Sequence, residues 1–166
     1  MALIDGMLQE LEEEARTTRR VLERVPDDKL AWRPHPKART LGELALHVAM
    51  VPGGVAELVA SPSPAQVPNF AEASPKSASE LIPALDQGIA KAKQALSGMD
   101  DATLMATWRM MQGEREVFAL PRVALLRSIM LNHWYHHRGQ LSVYLRELDV
   151  PIPSIYGPSA DENPFV

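Results

Sequence analysis

The sequence predicts an all-α domain of four helices. Apolar residues recur at steps of three and four in four separate segments. Prolines or polar turns interrupt the chain between those segments. At 166 residues, the whole of 1–166 reads as one domain, long enough to bury roughly 70% of its unfolded surface in a single core.

In the first segment Leu3, Met7, Leu11, Ala15, Thr18, Val21 or Leu22, and Val25 form one stripe, with Glu12, Glu13, Arg16, Arg19 and Glu23 between them. This spacing predicts a helix from about Ile4 to Arg24. Pro26, Pro34 and Pro36 then break the chain, and Thr40-Leu41-Gly42-Glu43 has the form of a capping box. A second helix is expected from Leu41 to about Val59, kinked or locally weakened at Pro52-Gly53-Gly54. Pro62, Pro64, Pro68 and Pro75 leave little scope for regular structure between Ser61 and Pro75. A third helix follows from about Ala78 to Ser97, with Gly98 placed to end it. Residues 99–120 suggest a short hairpin or an irregular excursion around Gln112-Gly113-Glu114. Pro121 suits the first turn of the fourth helix, because its missing N–H would have no intrahelical partner there.

Composition excludes several function classes. The 17 basic and 21 acidic side chains give a net charge of −4, with no basic stripe interleaved with aromatics, so no nucleic-acid partner is expected. No unbroken apolar run approaches the roughly 20 residues that span a bilayer, so no membrane partner is expected either. The absence of cysteine and of a charged-then-apolar leader points to the cytoplasm.

The chemistry concentrates in the fourth helix. Leu126, Met130, His133, His137, Leu141, Tyr144 and Leu148 form one stripe, which places both histidines on an inward face. Residues four apart on a helix project about 40° apart in azimuth and about 6 Å apart along the axis, so His133 and His137 can close on one divalent cation. On the second helix His47 keeps step with Leu44, Val51, Val55 and Leu58. His47, His133 and His137 could therefore form a three-histidine metal site with positions open for water or substrate. The alternative is three core histidines, each hydrogen-bonded to a carbonyl or a carboxylate.

Two stretches carry a resemblance. His133-Trp134-Tyr135-His136-His137-Arg138-Gly139-Gln140-Leu141, followed by Tyr144-Leu145-Arg146, resembles the closing signature of the DinB-like (DinB/YfiT-like) metalloenzymes. Trp32-Arg33-Pro34 and Thr40-Leu41-Gly42-Glu43-Leu44-Ala45-Leu46-His47-Val48 resemble the opening one. The resemblance implies a four-helix bundle in up-down-down-up order, with a long crossover between helices two and three. It implies a metal triad at His47, His133 and His137, nickel or zinc as the ion, and a homodimer. It also implies a thiol-dependent transferase as one activity found in the family.

A cation held by three neutral imidazoles keeps its full charge, so a water or thiol reaching it has its pKa lowered. With no cysteine in the chain, a thiolate has to come from a small molecule. The sequence therefore points to a metal-dependent enzyme that activates a low-molecular-weight thiol to act on a small-molecule substrate. A metal-dependent hydrolase and a non-catalytic, stress-associated metal-binding module are the alternatives. Glu43 is weighed as a helix cap and as an acceptor behind His47, and Asp161 and Glu162 as solvated or folded over the cleft. Arg138 is weighed for packing, a dimer contact or an anionic substrate, and Trp32, Trp108 and Trp134 for core or interface.

Overall fold

The structure, a computed structural model, describes residues 2–69 and 73–166. Residues 70–72 of the proline-rich connection lie outside the described part. Three long helices lie close to where their periodicity places them: α1 at Leu3–Leu22, α2 at Leu41–Ala60 and α3 at Leu81–Leu96. A short helix α4 follows at Asp101–Met105, its first turn capped by Asp100, whose carboxylate accepts the Thr103 N–H at 2.8 Å. The chain ends in a long helical stretch built from α5 at Arg122–Leu125, a π-helical segment at Leu126–Asn132, and α6 at His133–Glu147.

The domain is mostly helical, but it is not all-α. A three-stranded sheet in the order β1-β2-β3 joins β1 at Ala65–Gln66, β2 at Thr107–Gln112 and β3 at Arg115–Pro121. β2 and β3 form an antiparallel hairpin with a register shift at Met110/Met111, and Gly113 in its turn takes φ +61°, a conformation that favours glycine. Buried Trp108 and Met110 alternate in β2 with exposed Thr107 and Arg109, the period of a strand with one face on the core. β1 runs parallel to β2, with Ala65 opposite Met110 and Gln66 opposite Met111. The Gln66 side chain also grips the hairpin turn, accepting the Gly113 N–H at 3.0 Å. The stretch from Ser61 to Pro75 therefore contains regular structure after all. Two residues are too few to show a period, and their hydrogen bonds go to a distant segment.

Pro121 ends β3 and stands just outside the last helical stretch, not in its first turn. The π-helical segment reconciles two buried faces. On a regular α-helix Leu126 and Trp134, eight residues apart, would diverge by about 80°. Bonding from i to i+5 widens the turn, so each residue advances by less, and Leu126 and Met130 come into line with Trp134.

α2 is the central helix. It packs most extensively against α3 and also meets α6, the π-helical segment and α1. It is long and apolar enough to cross a membrane by length and composition, with a mean hydropathy of 1.4, which corrects the expectation of no such segment. Over half of that window is buried inside the protein, as in a core helix. Thr40 and Glu43 form the expected capping box, the Thr40 hydroxyl accepting the Glu43 N–H at 3.1 Å and the Glu43 carboxylate accepting the Thr40 N–H at 2.7 Å.

Pro52 does not interrupt α2, which continues to Ala60. Proline removes the donor that would bond the carbonyl four residues back, here that of Val48. The indole N–H of Trp134 takes its place, donating to the Val48 carbonyl at 2.8 Å. At the far end of α2, Arg122 Nε donates to the Val59 carbonyl at 3.0 Å and Trp108 Nε1 to the Ser61 carbonyl at 3.1 Å. Trp108 and Trp134 are thus core residues that also satisfy backbone acceptors, while half-buried Trp32 meets the Tyr144 ring edge-on at 5.6 Å.

Glycines set the contact between α2 and α3. A Cβ on Gly53 would lie 2.7 Å from the Gly88 carbonyl oxygen, and one on Gly88 would lie 2.8 Å from that of Ala49. Both obstacles are backbone, so neither can swing aside. Gly88→Ala should therefore destabilise the protein by about 1–3 kcal/mol, as overpacking does, and lower the Tm by several degrees. Gly54→Ala, at an exposed position whose added Cβ meets nothing within 4 Å, should leave the Tm unchanged or raise it slightly in the same thermal melts.

Candidate metal centre

The three predicted histidines come together. One ring nitrogen from each of His47, His133 and His137 lies within 4.8 Å of the others. The ring centroids are 5.3 Å apart for His47 and His133, 4.5 Å for His47 and His137, and 4.4 Å for His133 and His137, each pair edge to face. His47 belongs to α2, the other two to the first turns of α6. His136 is exposed and outside this group, and His35 sits in a loop where its Nδ1 accepts the Lys37 N–H at 3.1 Å.

The histidines flank the core instead of standing in its middle. The fully buried line on α6 is Trp134, Arg138, Leu141 and Leu145; it shares Leu141 with the stripe expected from sequence and stands one residue beyond it at the other three positions. His133 and His47 are half-buried and His137 is 9% exposed, so the triad sits at the edge of the core. A substrate-accessible ion would need that position.

Several features fit a cation. His47 Nε2 is buried without a hydrogen-bond partner, which is costly unless a cation serves it, whereas the buried His133 Nδ1 is that ring's other nitrogen, not the one turned to the cluster. The nearby Ile129 carbonyl only partly offsets the burial of His133. His133 Nε2 and His137 Nε2 face each other at 2.7 Å. Gln140 Oε1, 2.7 Å from His137 Nδ1, accepts its proton and leaves His137 Nε2 with its lone pair turned to the cluster. Burial first, then the positive charge of Arg39, pushes the His47 pKa down to about 3. Burial likewise takes His137 down to about 4 and lowers His133. All three rings are therefore neutral at pH 7, the form that ligates, and three neutral nitrogens suit zinc, nickel and other first-row divalent ions.

The other residues weighed from sequence lie elsewhere. Glu43 is committed to its cap, Asp161 pairs with Arg146 and accepts the Ile152 N–H, and Glu162 pairs with Arg20 at 2.5 Å. Arg138 has a packing role. Only 1% exposed, it donates to Thr18 Oγ1 at 3.1 Å and to the Tyr156 hydroxyl at 2.5 Å, and it pairs with Glu14 at 2.6 Å. It thereby joins α6 to α1 and to the C-terminal segment. Sequence reasoning did not single out Gln140 as a partner of His137, although its spacing of three residues on a helix was the available signal.

Two predictions follow from this geometry. The metal-free protein should lose stability as the pH falls from about 6.5 towards 4, because the unfolded histidines take up protons that the folded ones, held near 3 and 4, refuse. Thermal melts across that window should show a shallower decline for His47→Gln. Gln140→Leu, which strips His137 of its orienting acceptor, should weaken zinc binding about 10- to 100-fold in competition titrations while leaving the fold intact.

Comparison with known proteins agrees with this architecture. The Bacillus subtilis (strain 168) protein YrdA is 29% identical over 164 residues, covering 96% of this chain and 91% of its own. The crystal structure of a DinB-like protein from Bacillus cereus ATCC 10987 superposes with a TM-score of 0.72 at 24% identity, covering 92% of this chain and 97% of that one. That of the Bacillus subtilis DinB-like protein YjoA gives 0.64 at 17% identity, covering 87% and 92%. The family model described as the DinB family matches residues 2–163, and the chain belongs to that family.

Proposed function

We propose that this protein is a metal-dependent enzyme whose His47, His133 and His137 hold one divalent transition ion, nickel or zinc, and which activates a small-molecule thiol for transfer to a small substrate. The observation that carries the proposal is the convergence of three neutral imidazoles, with His47 Nε2 buried and unpartnered, at the edge of the core. A cation bound there would supply Lewis acidity, lowering the pKa of a thiol or water that reaches it.

The chain's own residues hold and orient the donors. Burial keeps the rings neutral, Gln140 fixes His137, and helix packing brings His47 to the pair on α6. A thiol is favoured over water as the activated group by where the carboxylates are. Glu43, Asp161 and Glu162 are engaged in a cap and in ion pairs, so none of these is poised to take a proton from water. A thiol with a lowered pKa is itself largely ionised near pH 7 and needs no such base. The chain has no cysteine, so the thiol is a cosubstrate. The up-down-down-up bundle order, a homodimeric state and a cytoplasmic location without nucleic-acid or membrane partners complete this proposal, from the family resemblance and the composition.

Elemental mass spectrometry of tag-free protein should find about one equivalent of nickel or zinc, lost in His133→Ala. Titration of the cobalt-substituted protein with low-molecular-weight thiols should then change its visible spectrum. Bound metal that no thiol perturbs would favour hydrolysis or a non-catalytic metal-binding module, and no metal even after reconstitution would make the histidines structural.

A further inference from the structure

We infer that Trp134 and Pro52 are positioning residues for the histidine triad, acting together at the Val48 carbonyl; the inference rests on the metal-site proposal above. Pro52 leaves that carbonyl without its intrahelical donor, and Val48 is fully buried, so water cannot serve it. Trp134, also fully buried, donates its indole N–H there at 2.8 Å. The two bonded residues are the chain neighbours of two ligands. Val48 follows His47 on α2, and Trp134 follows His133 on α6. The bond therefore fixes the register of α2 against α6 one residue from the site.

That register matters because a slip of one residue turns a helix by about 100° and moves it about 1.5 Å, enough to take a ring nitrogen out of the cluster. A directional hydrogen bond between one indole nitrogen and one carbonyl oxygen has only one register. The proline in α2 thus acts as the source of an acceptor that the opposite helix can read.

The test uses the full-length protein, with zinc affinity and the visible spectrum of the cobalt-loaded form as readouts. Trp134→Phe keeps an aromatic ring and removes the donor. Trp108→Phe is the control, since it removes a buried indole's donation to the Ser61 carbonyl, which Arg122 also reaches at 3.4 Å, at the other end of α2. Both variants should lower the Tm, but only Trp134→Phe should weaken zinc binding, on the order of tenfold or more, and shift the cobalt spectrum. Pro52→Ala, which returns a backbone N–H to the Val48 carbonyl in competition with the indole, should do the same and serves if Trp134→Phe does not fold. Wild-type affinity and spectrum in Trp134→Phe or Pro52→Ala, or equal loss in Trp108→Phe, would overturn the inference while leaving the metal site standing. A wild-type protein that binds neither zinc nor cobalt would overturn both.

Discussion

The backbone of α2 has carbonyls that its own helix cannot satisfy, and the rest of the structure is arranged to satisfy them. Val48 lacks a donor because of Pro52, and Val59 and Ser61 lack one because the helix ends. Trp134, Arg122 and Trp108 supply the three donors, all from beyond α3 in the chain. An unmet buried acceptor costs about 1–3 kcal/mol, so each of these side chains is held in place by more than apolar burial. Their spacing along α2 aligns the β2–β3 hairpin with its C-terminal end and α6 with its middle. His47 then faces the pair on α6 as a consequence of the same alignment.

Polar groups perform a second fastening away from the seam. Arg138 would be expensive to bury alone, but Glu14, Thr18 and Tyr156 engage its donors, and the Tyr135 and Tyr156 rings lie 5.3 and 5.1 Å from its guanidinium carbon. The Arg20–Glu162 and Arg146–Asp161 pairs bring the C-terminal segment back over α1 and α6. The tail is thereby part of the domain, although its sequence has no helical or strand period.

What could be seen in the sequence is what depends on neighbours within a turn or two. The capping box at Thr40 and Glu43, the stripes of α1 and α3, and the pairing of His133 with His137 are local, and each is found where periodicity or spacing puts it. His47 was within reach because it keeps step with Leu44 and Val51, on what reads as an inward face of a second helix. Features decided by distant backbone were out of reach. The two-residue β1 strand exists only through β2, Gly53 and Gly88 matter only because α3 crosses α2 there, and Pro52 reads as a flaw until Trp134 is seen beside Val48. The π-helical turn also hid. A seven-residue segment with one extra residue per turn mimics an α stripe, and it displaced the expected inward line on α6 by one position, from the histidines to Trp134 and Arg138.

The close approach of Gly53 and Gly88 gives the α2–α3 pair a fulcrum. Elsewhere in the core, the separation of two helices follows the size of the side chains between them, and a larger or smaller residue can push them apart or draw them together. At this crossing main-chain atoms already limit the approach, so shrinking the side chains around it cannot bring the helices nearer. Smaller residues on either side are therefore accommodated by a tilt of α3 about the crossing point. Sequence drift in α3 is thereby converted into changes of angle, whose displacement is smallest at the pivot and grows towards the ends of the helix.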